Sequence, residues 1–199
     1  MKLRGLYAIT PERLERVADA LHSGALCALQ YRNKSAAAAQ RLREALALAQ
    51  LCRAHGVPLI VNDDIEIALA SGADGVHLGR DDGDLGAARA RLRGKILGVS
   101  CYDSLETARA AVAVGADYVA FGSVFASPTK PAAVRAPLAL FAHDLGVPKV
   151  AIGGITLENA PQLVAAGADC VAVITDLFDA PDVAARARQY AKLFIHDDT

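Results

Sequence analysis

Tryptophan is absent from this chain, methionine occurs once, and five Tyr and five Phe are the whole aromatic complement of 199 residues. A core with so few rings must be filled by aliphatic side chains, and 53% of the residues are hydrophobic. Such a composition excludes a disordered chain and suits slender Ala- and Leu-rich helices packed closely on a branched-aliphatic sheet. Excess charge is missing too, the formal net charge being −1. No broad basic field exists to draw a nucleic acid or an anionic membrane surface, so neither is expected as a partner. Any anionic ligand must be held by local groups. No apolar run approaches the ~20 residues that span a bilayer, and the opening MKLRGLYAIT lacks the pattern of a secretory signal. A cytoplasmic location is the expectation.

Other signatures are equally absent. The cysteines Cys27, Cys52, Cys101 and Cys170 form no CxxC pair, which argues against structural zinc and for buried free thiols. Cys101 alone, just beyond a strand end, falls where chemistry could occur. No GxGxxG follows the first apolar run, which removes the main support for a dinucleotide-binding sheet. There is no Gly/Ser linker and no low-complexity tract beyond Ala36 to Ala39, so residues 1–199 are expected to form one domain.

What is present is alternation. Short β-rich runs at Leu3 to Ile9, Ala25 to Tyr31, Leu59 to Asn62, Gly75 to Leu78, Ile96 to Ser100, Tyr118 to Phe121, Val150 to Ile152 and Cys170 to Ile174 are separated by stretches of helical periodicity. Helices are expected at Ser35 to His55, Ser104 to Val114, Thr156 to Ala166 and Pro181 to Phe194. This order favours right-handed βαβ units and a parallel sheet. The phrase Gly-Ala-Asp recurs immediately before strands at residues 72–74, 115–117 and 167–169, marking equivalent corners of a repeated unit. Eight strands with such a repeat predict an α/β fold, a single (β/α)8 TIM barrel. The three Asp residues precede their strands and are expected at the bottom of it, in a structural role.

In such a barrel all strand carboxyl ends open on one face, so polar residues at those ends converge. The second strand ends in Gln30-Tyr31-Arg32-Asn33-Lys34, a cationic exit suited to an anionic ligand. The third gives Asn62, Asp63 and Asp64, and the loop after the fourth gives Asp81 and Asp82 behind His77 and Gly79. Carboxylates from neighbouring strand ends suit a hard divalent cation that also holds phosphate oxygens and water, and magnesium on a diphosphate fits best. Asp64 opens a helical stretch and is expected to cap it. His77 is expected to be a hydrogen-bonded strand-end residue. After the sixth strand, Gly122 to Pro131 offers hydroxyls and Lys130 as a lid over phosphate. After the seventh and eighth, Gly153-Gly154-Ile155-Thr156 and Ile174-Thr175-Asp176 offer backbone N–H groups at helix starts for a phosphate monoester. Two anion sites facing a metal site point to an enzyme that joins or rearranges phosphorylated small molecules.

Taken in order, QYRNK (30–34), VNDD (61–64), HLGRDD (77–82), GVS (98–100), GSVFASPTK (122–130), AIGGIT (151–156) and VAVIT (171–175) resemble the thiamine phosphate synthase family over nearly the whole chain. The resemblance implies a transferase that condenses a hydroxymethylpyrimidine diphosphate with a thiazole phosphate, releasing pyrophosphate through a carbocation. It implies that Gln30, Tyr31, Arg32, Asn33, Lys34, Asn62, Ser100 and Lys130 hold the pyrimidine diphosphate, with Ser100 and Lys130 catalytic. Asp63 and Asp82 would bind one Mg2+, and Ser127, Pro128, Thr129, Gly154, Ile174 and Thr175 the thiazole phosphate. Arg80, Asn33, Ser127 and Thr175 depart from the family's usual Gln, acidic residue, Thr and Ser. Two rival readings are a thiazole tautomerase of the same fold, expected to carry His where Ser123 stands, and a non-catalytic sensor of thiazole phosphate, which would need no metal. Apolar helix faces bury equally well against a second copy, so the chain leaves a homo-oligomer open.

Overall fold

The computed structural model describes residues 3–79, 82–126 and 135–195. Eight parallel strands, β1 (Gly5–Ile9), β2 (Leu26–Tyr31), β3 (Leu59–Asn62), β4 (Gly75–Leu78), β5 (Ile96–Tyr102), β6 (Tyr118–Gly122), β7 (Lys149–Ile152) and β8 (Cys170–Val173), close in chain order, β8 returning to β1. Around them lie α1 (Val17–His22), α2 (Ala38–Ala54), α3 (Ile65–Ser71), α4 (Leu85–Arg91), α5 (Leu105–Ala113), α6 (Ala160–Ala165), α7 (Thr175–Phe178) and α8 (Val183–Lys192), with a 3-10 helix at Leu138–Ala142 between β6 and β7. The expected (β/α)8 barrel is the observed one. No helix among the described residues is long and apolar enough to cross a membrane.

Strands covered on both faces must be apolar on both, which is why they read as nearly continuous hydrophobic runs. Alternation then sorts them into two cores. Leu29, Leu59, Val61, Val76, Leu97, Val99, Val119, Phe121 and Val171 point outward to the helices. Tyr7, Ile9, Ala28, Ile60, Tyr118, Ala120, Val150 and Ala172 fill the barrel. The interior is narrow, and its rings need small neighbours. A Cβ on Gly98 would stand 2.0 Å from the Tyr118 ring, so this glycine makes the space that the phenol occupies. Cys101 lies buried in the outer core, away from the barrel mouth, which corrects the suggestion that it neighbours chemistry.

The Gly-Ala-Asp repeat has one physical explanation at all three places. The N–H of Asp74 donates to the carbonyl of Leu59 while its carboxylate accepts from the Leu59 N–H at 2.8 Å. Asp117 does the same with Leu97, and Asp169 with Lys149. Each aspartate therefore clamps a residue at the start of the preceding strand, the first in β3 and β7 and the second in β5, through both its N–H and its carbonyl, fixing register between β3 and β4, β5 and β6, and β7 and β8 at the bottom of the barrel. The equivalent phrase before β2 is Gly24-Ala25-Leu26, where Leu26 has no carboxylate to offer.

Helix starts depart from the periodicity where a side chain captures backbone first. Before α2, Asn33 Oδ1 accepts from the N–H of Ser35 and of Ala36, and the helix begins at Ala38. Before α6, Asn159 accepts the Thr156 N–H and donates to the Gly154 carbonyl. The expected start at Thr156 thus moves to Ala160, where Pro161 fits a first turn that needs no N–H. α8 starts after Asp182, whose carboxylate caps the Ala185 N–H. The short α7 was not foreseen, its four residues being below the reach of any periodicity argument.

Because the clamps lie opposite the mouth, they bear on stability alone. Asp74→Ala leaves the buried Leu59 N–H without its acceptor and is expected to lower unfolding free energy by about 1–3 kcal/mol, with steady-state rates unchanged. Urea unfolding of the variant beside wild type checks this, and an unmoved midpoint removes the clamp.

Candidate active site

The carboxyl ends of the strands place Gln30, Asn62, His77 and Ser100 in phase with inward-facing residues two positions earlier, and so at the barrel mouth. Just past β3 the chain turns sharply. Asp63 takes φ 64, a left-handed conformation that costs a non-glycine residue free energy, while its N–H is held by the His77 carbonyl at 2.8 Å. The turn directs Asp63 toward the loop after β4, and the next residue, Asp64, caps α3 by accepting from Ile67 N, as expected, with Arg41 paired to its other oxygen.

Asp63 and Asp82, brought from two neighbouring strand ends, face one another closely enough for each to shift the ionisation of the other. Burial by itself would raise both carboxyls. For Asp63 it is outweighed by hydrogen bonds from Lys34 and Asp82 and by the Lys34 charge, so this acid is held below the usual range. For Asp82 burial and the facing Asp63 charge outweigh the Gly79 N–H, donated to Oδ2 at 2.6 Å, and the acid is raised. The two acids are thus pushed in opposite directions, with the Lys34 ammonium 2.8 Å from Asp63 Oδ2. Two facing carboxylates that already gather an ammonium suit a divalent cation that would take its place. Among the described residues no third His, Cys, Asp or Glu joins them to form a larger ligand group, so such an ion would draw its remaining ligands from water or substrate oxygens. Asp81, like Arg80, lies outside the described residues.

Lys34, Asn62 and Asp63 line a cleft of about 230 Å³ together with Tyr31, Asn33 and Arg41. Lys34 reaches it freely, being 61% exposed. The chain between them is tied down by a residue the sequence reading passed over: buried Thr10, after β1, accepts the Arg32 N–H through Oγ1 at 3.0 Å. Tyr31 and Asn33 have other partners. The Tyr31 hydroxyl donates to Glu44 Oε2 at 2.7 Å, and Asn33 Nδ2 donates to the same oxygen at 3.0 Å. Both side chains anchor the β2 loop to α2, and Asn33 stands in reach of Glu44 because it is neutral.

Inside the mouth runs a continuous polar chain. Gln30 Nε2 donates to the Tyr7 hydroxyl at 3.0 Å, Tyr7 meets Tyr118 at 2.8 Å, Tyr118 meets His77 Nδ1 at 2.9 Å, and His77 Nε2 meets Ser100 Oγ at 2.8 Å. Burial pushes the His77 imidazole down to about 4, the Asp63 charge opposing it, and raises both phenols. All three are neutral near pH 7. His77 is therefore a hydrogen-bonded strand-end residue, as its position suggests. Tyr7 and Tyr118, 111 residues apart, gave no sequence signal beyond their strand alternation.

Across the mouth, Gly154 has φ 64, and a Cβ there would lie 2.4 Å from the Ala126 carbonyl, so only glycine lets these two loops approach so closely. Ile174 packs at the edge of the inner core, and the exposed Thr175 begins α7 without a side-chain cap. A short extra helix after the eighth strand is a recurrent phosphate-binding device in barrels. Asp176 accepts from Arg186 at 2.8 Å and Tyr190 at 2.6 Å, fixing α7 on α8. Ser127, Pro128, Thr129 and Lys130 lie outside the described residues.

Three comparisons bear on this geometry. Residues 6–177 match the family model described as thiamine monophosphate synthase. The chain is 58% identical to the thiamine-phosphate synthase of Aromatoleum aromaticum and 57% identical to that of Chromobacterium violaceum, each match covering 97% of both chains. A solved thiamine phosphate pyrophosphorylase from Pyrococcus furiosus superimposes with a TM-score of 0.88 at 35% identity, over 97% of this chain and 96% of that one. The chain belongs to the thiamine monophosphate synthase family of transferases.

Proposed function

We propose that this barrel condenses 4-amino-2-methyl-5-hydroxymethylpyrimidine diphosphate with 4-methyl-5-(2-phosphoethyl)thiazole, giving thiamine phosphate and pyrophosphate, or with the carboxylate form of that thiazole, in which case the carboxylate also leaves as carbon dioxide. The observation that carries the reading is the meeting of Asp63 and Asp82 beside Lys34 at one side of the mouth, opposite the Gly154 and Thr175 backbone. Family membership supplies the substrate class.

In this reading Gln30 and Ser100 orient the pyrimidine at the inner mouth, and Arg32, Lys34, Asn62 and Lys130 surround its diphosphate. Tyr31 and Asn33 serve the same subsite indirectly, by holding the Lys34 loop against α2. The phosphate of the thiazole partner rests on Gly154 and Thr175, with Ser127 to Thr129 and Ile174 beside it. The methylene C–O bond breaks with its electron pair leaving on pyrophosphate, and the thiazole nitrogen lone pair forms the new C–N bond to the resulting carbocation. Such chemistry demands charge neutralisation of the leaving group far more than a general base, and beside the two acids the proposed diphosphate subsite is built of cations and neutral donors. Asp63 and Asp82 would hold one Mg2+, which when bound neutralises diphosphate oxygens as a Lewis acid. The tautomerase alternative needs an acid or base after Gly122, but the Ser123 hydroxyl is spent on the Phe125 carbonyl at 2.8 Å.

Asp63→Ala and Asp82→Ala are each expected to lower magnesium-dependent thiamine phosphate formation by on the order of 100-fold or more while thiazole phosphate still binds. A coupled pyrophosphate assay with calorimetric titration of the thiazole checks both halves, and full activity in either variant removes the metal assignment. Lys130→Ala is expected to reduce kcat by roughly 100-fold if its ammonium meets the leaving diphosphate. Single-turnover kinetics reads this directly, and an unchanged rate means that the ammonium stays in solvent.

A further inference from the structure

The buried chain from Gln30 to Ser100 is complete at every link, and its direction has consequences at both ends. Gln30 offers its amide nitrogen to Tyr7, so the Tyr7 oxygen accepts there and its proton turns to the Tyr118 oxygen. The Tyr118 proton then has His77 Nδ1 before it. A phenol is the more acidic partner and imidazole nitrogen the more basic, which favours donation in that sense. With Nδ1 accepting, the single proton of the neutral ring sits on Nε2 and goes to Ser100 Oγ. The Ser100 proton is left to point into the mouth, as is the Gln30 carbonyl oxygen.

We propose that His77, Tyr118 and Tyr7 are positioning residues that polarise this chain in one direction, hold His77 as the Nε2–H tautomer, and thereby set Ser100 as a donor and Gln30 as an acceptor toward the substrate. A donor and an acceptor fixed on opposite sides of the mouth match the edge of an aminopyrimidine, which offers a ring nitrogen to accept and an amino group to donate. Reversing the chain would turn over the Gln30 amide and make Ser100 an acceptor, so both ends change together and the wrong pattern is presented at both.

Three features of the fold serve this arrangement. Gly98 leaves the space for the Tyr118 ring, which a Cβ would enter at 2.0 Å. The Tyr118 ring lies near parallel to His77, at 21° with centroids 5.6 Å apart. The His77 ring is buried with both nitrogens engaged, Nδ1 by Tyr118 and Nε2 by Ser100, so its two partners hold a single tautomer. Tyr7, Tyr118 and His77 are buried and spend their ring and hydroxyl polar atoms within the chain, so they act through Gln30 and Ser100.

The substrate side of this inference rests on the proposed function; the tautomer does not. In full-length protein carrying 15N-histidine, with His77 assigned by its loss in His77→Gln, the expected signal is protonated Nε2 and bare Nδ1 near pH 7. Protonated Nδ1 overturns the proposal. In kinetics, Tyr118→Phe, which keeps the ring, is expected to raise KM for the pyrimidine diphosphate about tenfold, one hydrogen bond's worth of recognition. KM for the thiazole phosphate is expected to stay within about twofold, and the tautomer signal of His77 to change. Equal losses for both substrates, or none, overturn the positioning role. Tyr7→Phe serves as the second variant, keeping the Tyr118 to His77 link while breaking the chain at Gln30, and is expected to shift the same KM without changing the tautomer. If wild type condenses neither substrate pair, the proposed function fails while the tautomer still decides the relay.

Discussion

Closure of eight parallel strands into one barrel is the constraint on which everything else depends. Closure forces alternate side chains into a space too narrow for eight large residues per layer, so glycine and alanine must face tyrosine there. It also brings every strand's carboxyl end to one rim. Gly98 opposite Tyr118 is the packing side of that constraint, and the meeting of Asp63 with Asp82 is its chemical side. The aspartate clamps at the opposite end hold strand register, and a slip of one residue in β3, β4 or β5 would turn Asn62, His77 or Ser100 respectively out of the mouth.

The two ends of the barrel treat carboxylates differently. At the bottom, Asp74, Asp117 and Asp169 accept from backbone N–H groups, Asp117 pairing with Arg89 as well. At the top, Asp63 stands in a strained conformation, half buried, facing a second acid and paired with a lysine. An arrangement that costs folding free energy and leaves charge poised toward a cleft is characteristic of a site kept for a ligand. The near-zero net charge of the whole chain is consistent with this, since the proposed anion sites need only a few side chains and the backbone around Gly154 and Thr175.

Strand positions were legible to within a residue or two because a strand buried on both faces must be apolar throughout, and turn residues bracket it. The repeat Gly-Ala-Asp was legible as structure because it always precedes a strand. Helix starts were less so. Asn33 and Asn159 captured backbone groups that periodicity assigned to helices, an outcome that depends on side-chain geometry and has no signature in spacing. Among site residues, Asp63, Asp82, Lys34, Asn62, Gln30 and Ser100 could be picked out from polar interruptions at strand ends. Tyr31 and Asn33 stand in the same motif but turn to Glu44, 13 and 11 residues away on α2, and Thr10 went unnoticed because a lone threonine after a strand resembles any other.

By itself the order of amino acids determined the barrel, the face on which its chemistry lies, and the acids and cations at that face, because each of these follows from local alternation and from which residues end a strand. Only the tertiary structure decided which of those residues touch. Contacts between Tyr7 and Tyr118, or between Asp63 and Asp82, join strands whose spacing in the chain says nothing about distance, and their protonation follows from burial that exists only once the barrel is closed.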